Sequence, residues 1–590
     1  MSDVFAEARR HLKGGDADAA RAVLQGALRT GLEPGDTERA GRLLFKHPAP
    51  GVRVRVLGVC TTAWIPPVLT AVAWGRGVAL TVTDGDYDSI LQEIDAGEPP
   101  EVMVLLPWTQ RLYAGDDAAG AVAGEVAFWE AAWSRLRGAK LVMVGYDYTS
   151  AGPAGVAQSG VTGGRVDRVR AVNAALRGRL PVGAAWVDLE QVSGDTGRRQ
   201  FYDDRRYHWT KQPFSEAGNL ELCRHLHAAV RAVTTGPKKL VVCDLDNTLW
   251  GGVVGETGPH GIQVRETPDG EAHRALQKHL LGLTKRGVLL AVCSKNNLAD
   301  ALEPFSVNGD MLLEREHFAA FEASWDPKPV AIARIATTLR LGLDSFVFLD
   351  DNPAEREAVR QALPEVEVVE LPDDASGYVQ ALEAGLWFET AALTAEDAAR
   401  AEQYQVEAAR RSAASEFTDL GGYLRSLEMK ADTRRVDEAD LDRVVQLLGK
   451  TNQFNLTTRR HGAEVVRGWV EAPRAVPLTV RLVDKFGDHG LVAVVLGVPE
   501  DDALRIDTWL MSCRVIGRTL EHYTLRQVAA EARAAGFTRL WGEYLPTAKN
   551  EQVADLYDRL GFELVETGAD GRRVYAVDVE KVVGVETFVG

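Results

Sequence analysis

The stretch VVCDLDNTLWGG, residues 241–252, constrains the fold more than any other part of the chain. Its opening residues are apolar without alternation. A strand tolerates that only when both faces are buried, as inside a parallel sheet. Such a strand opens at its carboxyl end onto the crevice where α/β folds bind ligands. Here that end carries Asp244 and Asp246, which the period of two places on one side of the chain. The arrangement recurs: AVCSKNN ends a second apolar run at Ser294, and FVFLDDNPAE ends a third at Asp350 and Asp351. The pattern predicts strands near 240–243, 288–293, 346–349 and 366–370, with helices between them. Upstream, RVRVLGV, EVMVLLP, KLVMVGY and GAAWVDL predict another alternating block, with helical stretches such as VDRVRAVNAALRG. The expected fold class is α/β multidomain.

At 590 residues the chain has room for three or four domains. The expected divisions are a helical segment over 1–50, an α/β domain over 51–237, a second over 238–388, a helical connector over 389–430 and an α+β domain over 431–590. In the first, VFAEARRHLKGG and DADAARAVLQGALRTG predict two short helices, each stopped by glycine. In the last, PLTVRLVD, GLVAVVLGV, RIDTWLMSC and RVYAVDV read as strands. Composition narrows the function classes. A net charge of -17 argues against a general nucleic-acid binder, which needs a basic face, but leaves room for a local basic pocket. No apolar run reaches the length of a membrane span. The opening MSDVFAEARRHLKGG puts a charged helix where a signal peptide has its apolar core. Five scattered cysteines (Cys60, Cys223, Cys243, Cys293 and Cys513) form no CxxC pair, which fits reduced thiols in a cytoplasmic protein.

Two carboxylates at one strand end suit phosphoryl transfer, since one can attack phosphorus while the other handles a proton. A divalent cation must then screen their repulsion and the phosphate charge, and Mg²⁺ suits so oxygen-rich a set. Ser294 and Lys328, the latter at a helix start in WDPKP, complete an ordered series. That series resembles the haloacid dehalogenase (HAD) superfamily of phosphotransferases. The resemblance implies Asp244 as the nucleophile that forms an aspartyl phosphate and Asp246 as general acid/base. It implies Ser294 and Lys328 as holders of the phosphoryl oxygens, with Thr248 shaping the loop. The Mg²⁺ site would comprise Asp244, the carbonyl of Asp246, Asp350 and Asp351. Lys295 and Asn296 join Thr248 as expected substrate contacts. Between Asp246 and Ser294, TLWGGVVGETGPHGIQVRE allows a turn and a hairpin flap but no separate lid domain, so a Rossmann-like HAD core without a large cap is expected.

NEQVADLYDRLGF, residues 550–562, resembles the closing motif of GNAT acyltransferases, and SCRVIGRTLE, residues 512–521, resembles their pyrophosphate loop. In that fold the loop follows the strand beside which a thioester lies. The resemblance implies Arg514, Gly517, Arg518, Asn550 and Tyr557 as contacts for a pantetheine arm. Arg518 and Thr519 depart from the family, which has a second small residue after the glycine. Cys513 stands at the strand end, either as an acyl acceptor or as a small core residue. LLGKTNQFNLTTRR lacks the first glycine of a P-loop, since Val444 stands there, and reads as a helix end with a polar loop. Arg459 and Arg460 in it suit a phosphate or a solvated face equally. Residues 51–237 resemble the SGNH-hydrolase fold. Cys60 replaces the nucleophilic serine in LGVCTT, and in YDDRRYHWT three residues rather than two separate Asp204 from His208, so this domain reads as a non-catalytic scaffold.

Together, DLDNTLWGGVVGE, CSKNN, DDNPAEREAV, KTNQFNLTTRR, MSCRVIGR and YLPTAKNEQVADLYDRLGF resemble the FkbH-like family of polyketide biosynthesis. The resemblance implies a bifunctional enzyme. It takes 1,3-bisphosphoglycerate, removes phosphate and loads a glyceryl unit as a thioester on the phosphopantetheine arm of an acyl carrier protein. Cys513 is the first choice as acyl carrier, ahead of Cys293, Cys243 and Cys60. A stand-alone phosphatase and a synthase-docking scaffold are the alternatives.

Overall fold

The computed structural model describes residues 2–150, 155–265, 267–391, 420–450, 454–485, 487–512, 515–547, 549–584 and 587–590. The chain divides into two compact units, residues 1–236 with 389–392, and residues 237–388 with 393–590. The expected connector lies largely outside the described residues, which resume with the helix Leu420–Ser426. No helix among the described residues is long and apolar enough to cross a membrane.

The first unit opens with three helices, Ser2–Lys13, Ala17–Thr30 and Pro34–Lys46, where two were expected. The third was hidden by residues that look like breakers. Its proline sits in the first turn, where a missing N–H costs nothing. Its Gly41 lets the helix approach its neighbour, since a Cβ there would lie 2.0 Å from the Pro67 carbonyl oxygen. A parallel sheet follows: β1 (Val52–Gly58), β2 (Leu80–Asp84), β3 (Val102–Leu106), β4 (Lys140–Val144) and β5 (Ala185–Val187), in the order β2-β1-β3-β4-β5. The expected strands are present. The unanticipated β2 is a half-polar strand that, among the described residues, pairs with β1 alone.

The second unit holds a second parallel sheet, in the order β10-β9-β6-β7-β8. Its strands are β6 (Leu240–Cys243), β7 (Leu289–Ser294), β8 (Phe318–Ala323), β9 (Phe346–Leu349) and β10 (Glu367–Val368). Alternate residues feed two cores. Val241, Cys243, Leu290 and Val347 pack on one face. Leu240, Val242, Ala291 and Phe348 pack on the other, with Ile332 and Ile335 of the helix Lys328–Leu339. Both faces are covered, so these strands read as continuous apolar runs.

A mixed sheet completes the unit: β11 (Lys430–Arg435), β12 (Val476–Asp484), β13 (Gly487–Glu500), β14 (Ala503–Met511), β15 (Arg539–Tyr544), β16 (Glu563–Thr567) and β17 (Arg573–Asp578). Their order is β11-β12-β13-β14-β15-β17-β16. Every pairing is antiparallel except β14 with β15, which is parallel. The outer strands β11 and β16 are charged and largely exposed, which is why apolar patterning did not reveal them.

Candidate active site

The register of the second parallel sheet creates the site. Cys243 of β6 lies opposite Leu349 of β9, so Asp244 and Asp350 leave adjacent strands side by side. The Asp244 N–H donates to the Leu349 carbonyl at 2.9 Å. From β6 the chain runs through β7 and β8 to one side and returns to β9 and β10 on the other, so these residues sit at a topological switch point. Asp244, Asp350 and Asp351 bring carboxylate oxygens within 4.8 Å of one another.

Lys328, the first residue of its helix, reaches into this cluster and is 3% exposed. Its Nζ lies 3.0 Å from Asp244 Oδ2 and also donates to Asp350 Oδ2. Burial alone would lower the lysine pKa, but the charges of Asp244 and Asp350 outweigh it and raise it. Burial, then the Asp244 charge, pushes Asp350 up to about 7, against the pull of Lys328 and the Asn352 N–H. The same two causes raise Asp351, opposed by the Thr248 hydroxyl. One ammonium among three carboxylates leaves the pocket negative. Asp244 Oδ1 is buried with no hydrogen-bond partner. An orphaned carboxylate oxygen beside two more carboxylates fits a hard divalent cation with oxygen ligands.

Asp246 is fixed differently. Its Oδ1 accepts from the Trp250 indole at 2.8 Å and the Val254 N–H at 3.0 Å, and its Oδ2 accepts from Asn296 Nδ2 at 2.8 Å. The carboxylate is thus aimed and held outside the three-carboxylate cluster, which leaves its carbonyl as the expected metal contact. Asn296 also approaches Ser294 Oγ at 3.4 Å, so it positions both residues. Lys295 pairs with Glu355 at 2.5 Å and is turned to the rim. Thr248 Oγ1 accepts the Asp351 N–H at 3.0 Å, tying the β6 loop to the β9 loop. The expected flap is a single antiparallel bridge, Gly251 with Gln263, enclosing the one-turn helix Val254–Thr257.

Sequence reasoning missed the supports. His273 and Gln277 share one face of the helix Pro268–Thr284. His273 Nδ1 donates to the Thr248 carbonyl at 2.9 Å, and Gln277 Nε2 to the Leu249 carbonyl at 3.0 Å. Burial keeps the His273 pKa low. Arg356 donates to the carbonyls of Asp350 and Asp351 at 2.8 and 2.7 Å. The i,i+4 spacing of His273 and Gln277 was visible, but nothing in the sequence shows that their partners are backbone carbonyls.

In the mixed sheet, Cys513 and Arg514 lie outside the described residues. Gly517 has a φ of 77°, a left-handed turn that suits glycine. Arg518 is buried, with Nη1 at 3.5 Å from Asp484 Oδ2 and 3.4 Å from His489 Nε2. Asn550 is fully buried and donates to the carbonyls of Asn455 and Leu545 at 3.0 and 2.9 Å. Tyr557 packs among Trp509, Phe562 and Tyr575. Arg518, Asn550 and Tyr557 are therefore buried and are not gathered on an open surface.

The polar loop expected around residue 454 is instead a buried strap. Pairing of β14 with β15 stops at Ile506 and Gly542. Beyond that point Phe454–Leu456 fills the gap between them. On the β14 side, Met511 N–H donates to the Phe454 carbonyl at 3.1 Å and Leu456 N–H to the Trp509 carbonyl at 3.2 Å. On the β15 side, Leu545 N–H donates to the Leu456 carbonyl at 2.9 Å. Nearby, Arg459 pairs with Asp507 at 3.1 Å and with Glu543. Arg505 and His461 meet Asp507 at 2.8 and 2.7 Å. Burial would raise Asp507, but His461, Arg505 and Arg459 outweigh it and hold its pKa well below the usual carboxylate range. The loop after β14 touches the segment before β9, where Arg340 Nη1 donates to the Ile516 carbonyl at 3.1 Å.

In the first unit, Cys60 is buried and burial pushes its thiol up to about 12. Asp204 and His208 lie exposed on the short helix Asp204–Thr210.

No family model matches the chain. No curated protein matches it. Among solved structures, it is similar to the N-terminal part of the protein BF1531 from Bacteroides fragilis, described as containing a phosphatase domain complexed with Mg. The identity is 27% over 61% of this chain and 100% of that one, with a TM-score of 0.56. Two acetyltransferase structures also match over a quarter of the chain. The ribosomal-protein-S18-alanine N-acetyltransferase of Escherichia coli does so at 14% identity, 25% of this chain, 94% of its own and a TM-score of 0.20. The GNAT domain of S. lividans PAT does so at 20% identity, 25%, 90% and 0.21. The second parallel sheet has the α/β topology expected for a HAD-type core, and the Bacteroides fragilis structure to which the chain is similar contains a phosphatase domain.

Proposed function

We propose that the chain is a phosphatase and glyceryltransferase that takes 1,3-bisphosphoglycerate, removes phosphate and loads a glyceryl unit on the thiol of an acyl carrier protein. The observation that carries the phosphatase half is the convergence of Asp244, Asp350 and Asp351 around Lys328, with one Asp244 oxygen left without a partner. The Mg in the similar Bacteroides fragilis structure supports Mg²⁺ as the cation. It would be held by the three carboxylates and the Asp246 carbonyl, and would supply charge neutralisation for the phosphoryl group.

Asp244 attacks phosphorus, the P–O bond to the substrate oxygen breaks, and Asp246 gives that oxygen a proton. Water then cleaves the aspartyl phosphate, with Asp246 taking back a proton. Trp250, Val254 and Asn296 keep Asp246 aimed for both steps. Lys328 and Ser294 hold the phosphoryl oxygens.

The acyl half rests on chemistry and on sequence position. An acyl phosphate brings its own activation, so a thiolate can attack its carbonyl and expel phosphate. Cys60, Cys223, Cys243 and Cys293 are all buried, with burial raising each thiol pKa. Cys513, which lies outside the described residues, is the first choice as acyl acceptor from its place in the sequence just after β14. The strap between β14 and β15 favours an acyl phosphate over acyl-CoA, because it occupies the strand edge beside which a thioester would lie. The same strap favours a second reading, a phosphatase acting alone.

Incubation with 1,3-bisphosphoglycerate, Mg²⁺ and holo carrier protein, read by intact mass, separates the two. The proposal expects a glyceryl shift on the carrier and a protein adduct that Cys513→Ala abolishes, while phosphate release from a simple phosphoester at the Asp244 site is retained. Phosphate release with no acyl shift on either protein supports the phosphatase alone.

A further inference from the structure

The first parallel sheet keeps the place of a ligand site without its chemistry. Its strand order puts a topological switch point between β1 and β3, where α/β folds bind at the carboxyl ends of strands. Cys60, just past β1, is buried, and its thiol is pushed up to about 12. What stands at that end is a fixed, exposed helix, Asp204–Thr210. Asp203 caps it, accepting the Arg206 N–H at 3.0 Å. Thr61 ties down the other end: its hydroxyl donates to the Thr210 carbonyl at 2.7 Å and its N–H to the Lys211 carbonyl at 3.0 Å. No residue of the helix is buried, so core packing does not set its sequence. Yet it carries Trp209, 72% exposed, with the Arg205 guanidinium 4.3 Å from the ring centroid. Lys211 Nζ lies 5.1 Å from the Tyr207 ring centroid. The exposed Tyr87 borders Tyr207: burial first, then Tyr207, raises its phenol pKa. In a chain of net charge -17, the segment 198–211 holds five cations and two acids. Arg198 turns inward to Asp147, and Arg206 pairs with Asp203 and Glu216. Arg199, Arg205 and Lys211 form no ion pair among the described residues, and Asp204 is the one acid of the segment left against them. Trp, Tyr and Arg are the residue types that carry most of the binding energy at protein interfaces. Unpaired cations around them select an anionic partner.

We propose that Arg205, Trp209 and Lys211 form a docking surface for an acidic protein, and that this protein is the carrier of the proposed reaction. The inference rests on the phosphatase–transferase reading and adds where the carrier lands. The carrier's arm is joined to it through a phosphodiester, so the surface around the root of the arm is anionic. A chain of net charge -17 repels such a surface over most of its own. A local excess of unpaired cations then decides where contact is made. The helix is held at both ends before the partner arrives, so little ordering cost falls on binding. Three free cations are too few for the basic track that nucleic acid needs, whereas one exposed Trp–Arg pair suffices as the centre of a protein contact.

The test titrates the full chain with a holo acyl carrier protein of net negative charge. It also follows glyceryl transfer to that carrier beside phosphate release from a small phosphoester. Wild-type binding should weaken about tenfold between about 50 and about 300 mM salt. Trp209→Ala and Arg205→Glu should each weaken binding about tenfold or more and raise KM for the carrier to match. Phosphate release and the melting temperature should stay at wild-type values in both. Asp204→Lys should tighten binding about threefold. Wild-type binding that is absent or independent of salt, or substitutions that leave carrier binding unchanged, overturn the inference. So does tighter binding of a single-stranded oligonucleotide than of the carrier. Binding that depends on Trp209 and Arg205 without glyceryl transfer keeps the docking surface and removes the transferase reading. Transfer that neither substitution slows removes the docking surface and keeps that reading.

Discussion

Two of the buried clusters of acids and bases in the second unit are built from similar parts. At the ends of β6 and β9, Lys328 stands among Asp244, Asp350 and Asp351. Between β14 and β15, Arg459, Arg505 and His461 stand around Asp507, and Arg459 and Arg572 around Glu543. The outcomes are opposite. Asp350 is pushed up to about 7 and an Asp244 oxygen lacks a partner. Asp507 is held low, with both carboxylate oxygens engaged. The first cluster is short of positive charge, and the second is saturated with it. Unsatisfied electrostatics at a strand-end crevice prepares a place for a cation and a phosphate, whereas satisfied electrostatics inside a sheet holds the sheet together.

Removing the central cation of the first cluster should have the largest effect. Lys328→Met leaves carboxylates buried without their ammonium and should cost about 3–5 kcal/mol of stability, with Mg²⁺ restoring part of it. Thermal melts with and without Mg²⁺ read both numbers, and a variant that melts like wild type without Mg²⁺ would break the contrast. The saturated cluster should lose less. Asp507→Asn should cost about 2–3 kcal/mol, discounted because its arginine partners are partly exposed, and Mg²⁺ should restore none of it. Because the folded pKa of Asp507 is depressed, its stabilisation is present above the unfolded value near ~3.9 and is lost as pH falls through the folded value. Acid denaturation curves of Asp507→Asn and wild type should therefore converge as pH drops below about 4.

The smallest effect sharpens the same comparison. Asp350, raised to about 7, must lose a proton before a cation can bind. Mg²⁺ affinity should fall about tenfold per pH unit below that value and level off above it. Calorimetric titration at several pH values checks this. A pH-independent affinity would mean that Asp350 is already ionised across that range and that its raised pKa is not felt in the binding step.

The phosphoryl cluster was legible because strand periodicity and strand-end chemistry both act over a few residues. Asp244, Asp246, Ser294 and Asp350 each end or follow an apolar run visible in the chain. What stayed hidden depends on tertiary placement. Arg356, His273 and Gln277 act on backbone carbonyls, which carry no mark in a sequence. FNLT in the strap looks like a polar loop because its Asn455 and Thr457 are polar. Both are buried because the strap is paired on both sides, because the Asn455 side-chain oxygen accepts the Thr458 N–H, and because the Thr457 hydroxyl donates to the Asp507 carbonyl. The short edge strands β2 and β16 escaped because an exposed strand needs no apolar face.

Phosphate release by wild type and Asp244→Asn, measured side by side at saturating Mg²⁺ on a phosphoester the wild type turns over, decides whether the β6–β9 cluster is a phosphoryl-transfer site. If Asp244 is the attacking group, the variant should lose turnover by about 10³-fold or more while still unfolding cooperatively. Turnover within about threefold of wild type would contradict the assignment, because a nucleophile cannot be replaced by an amide at so small a cost.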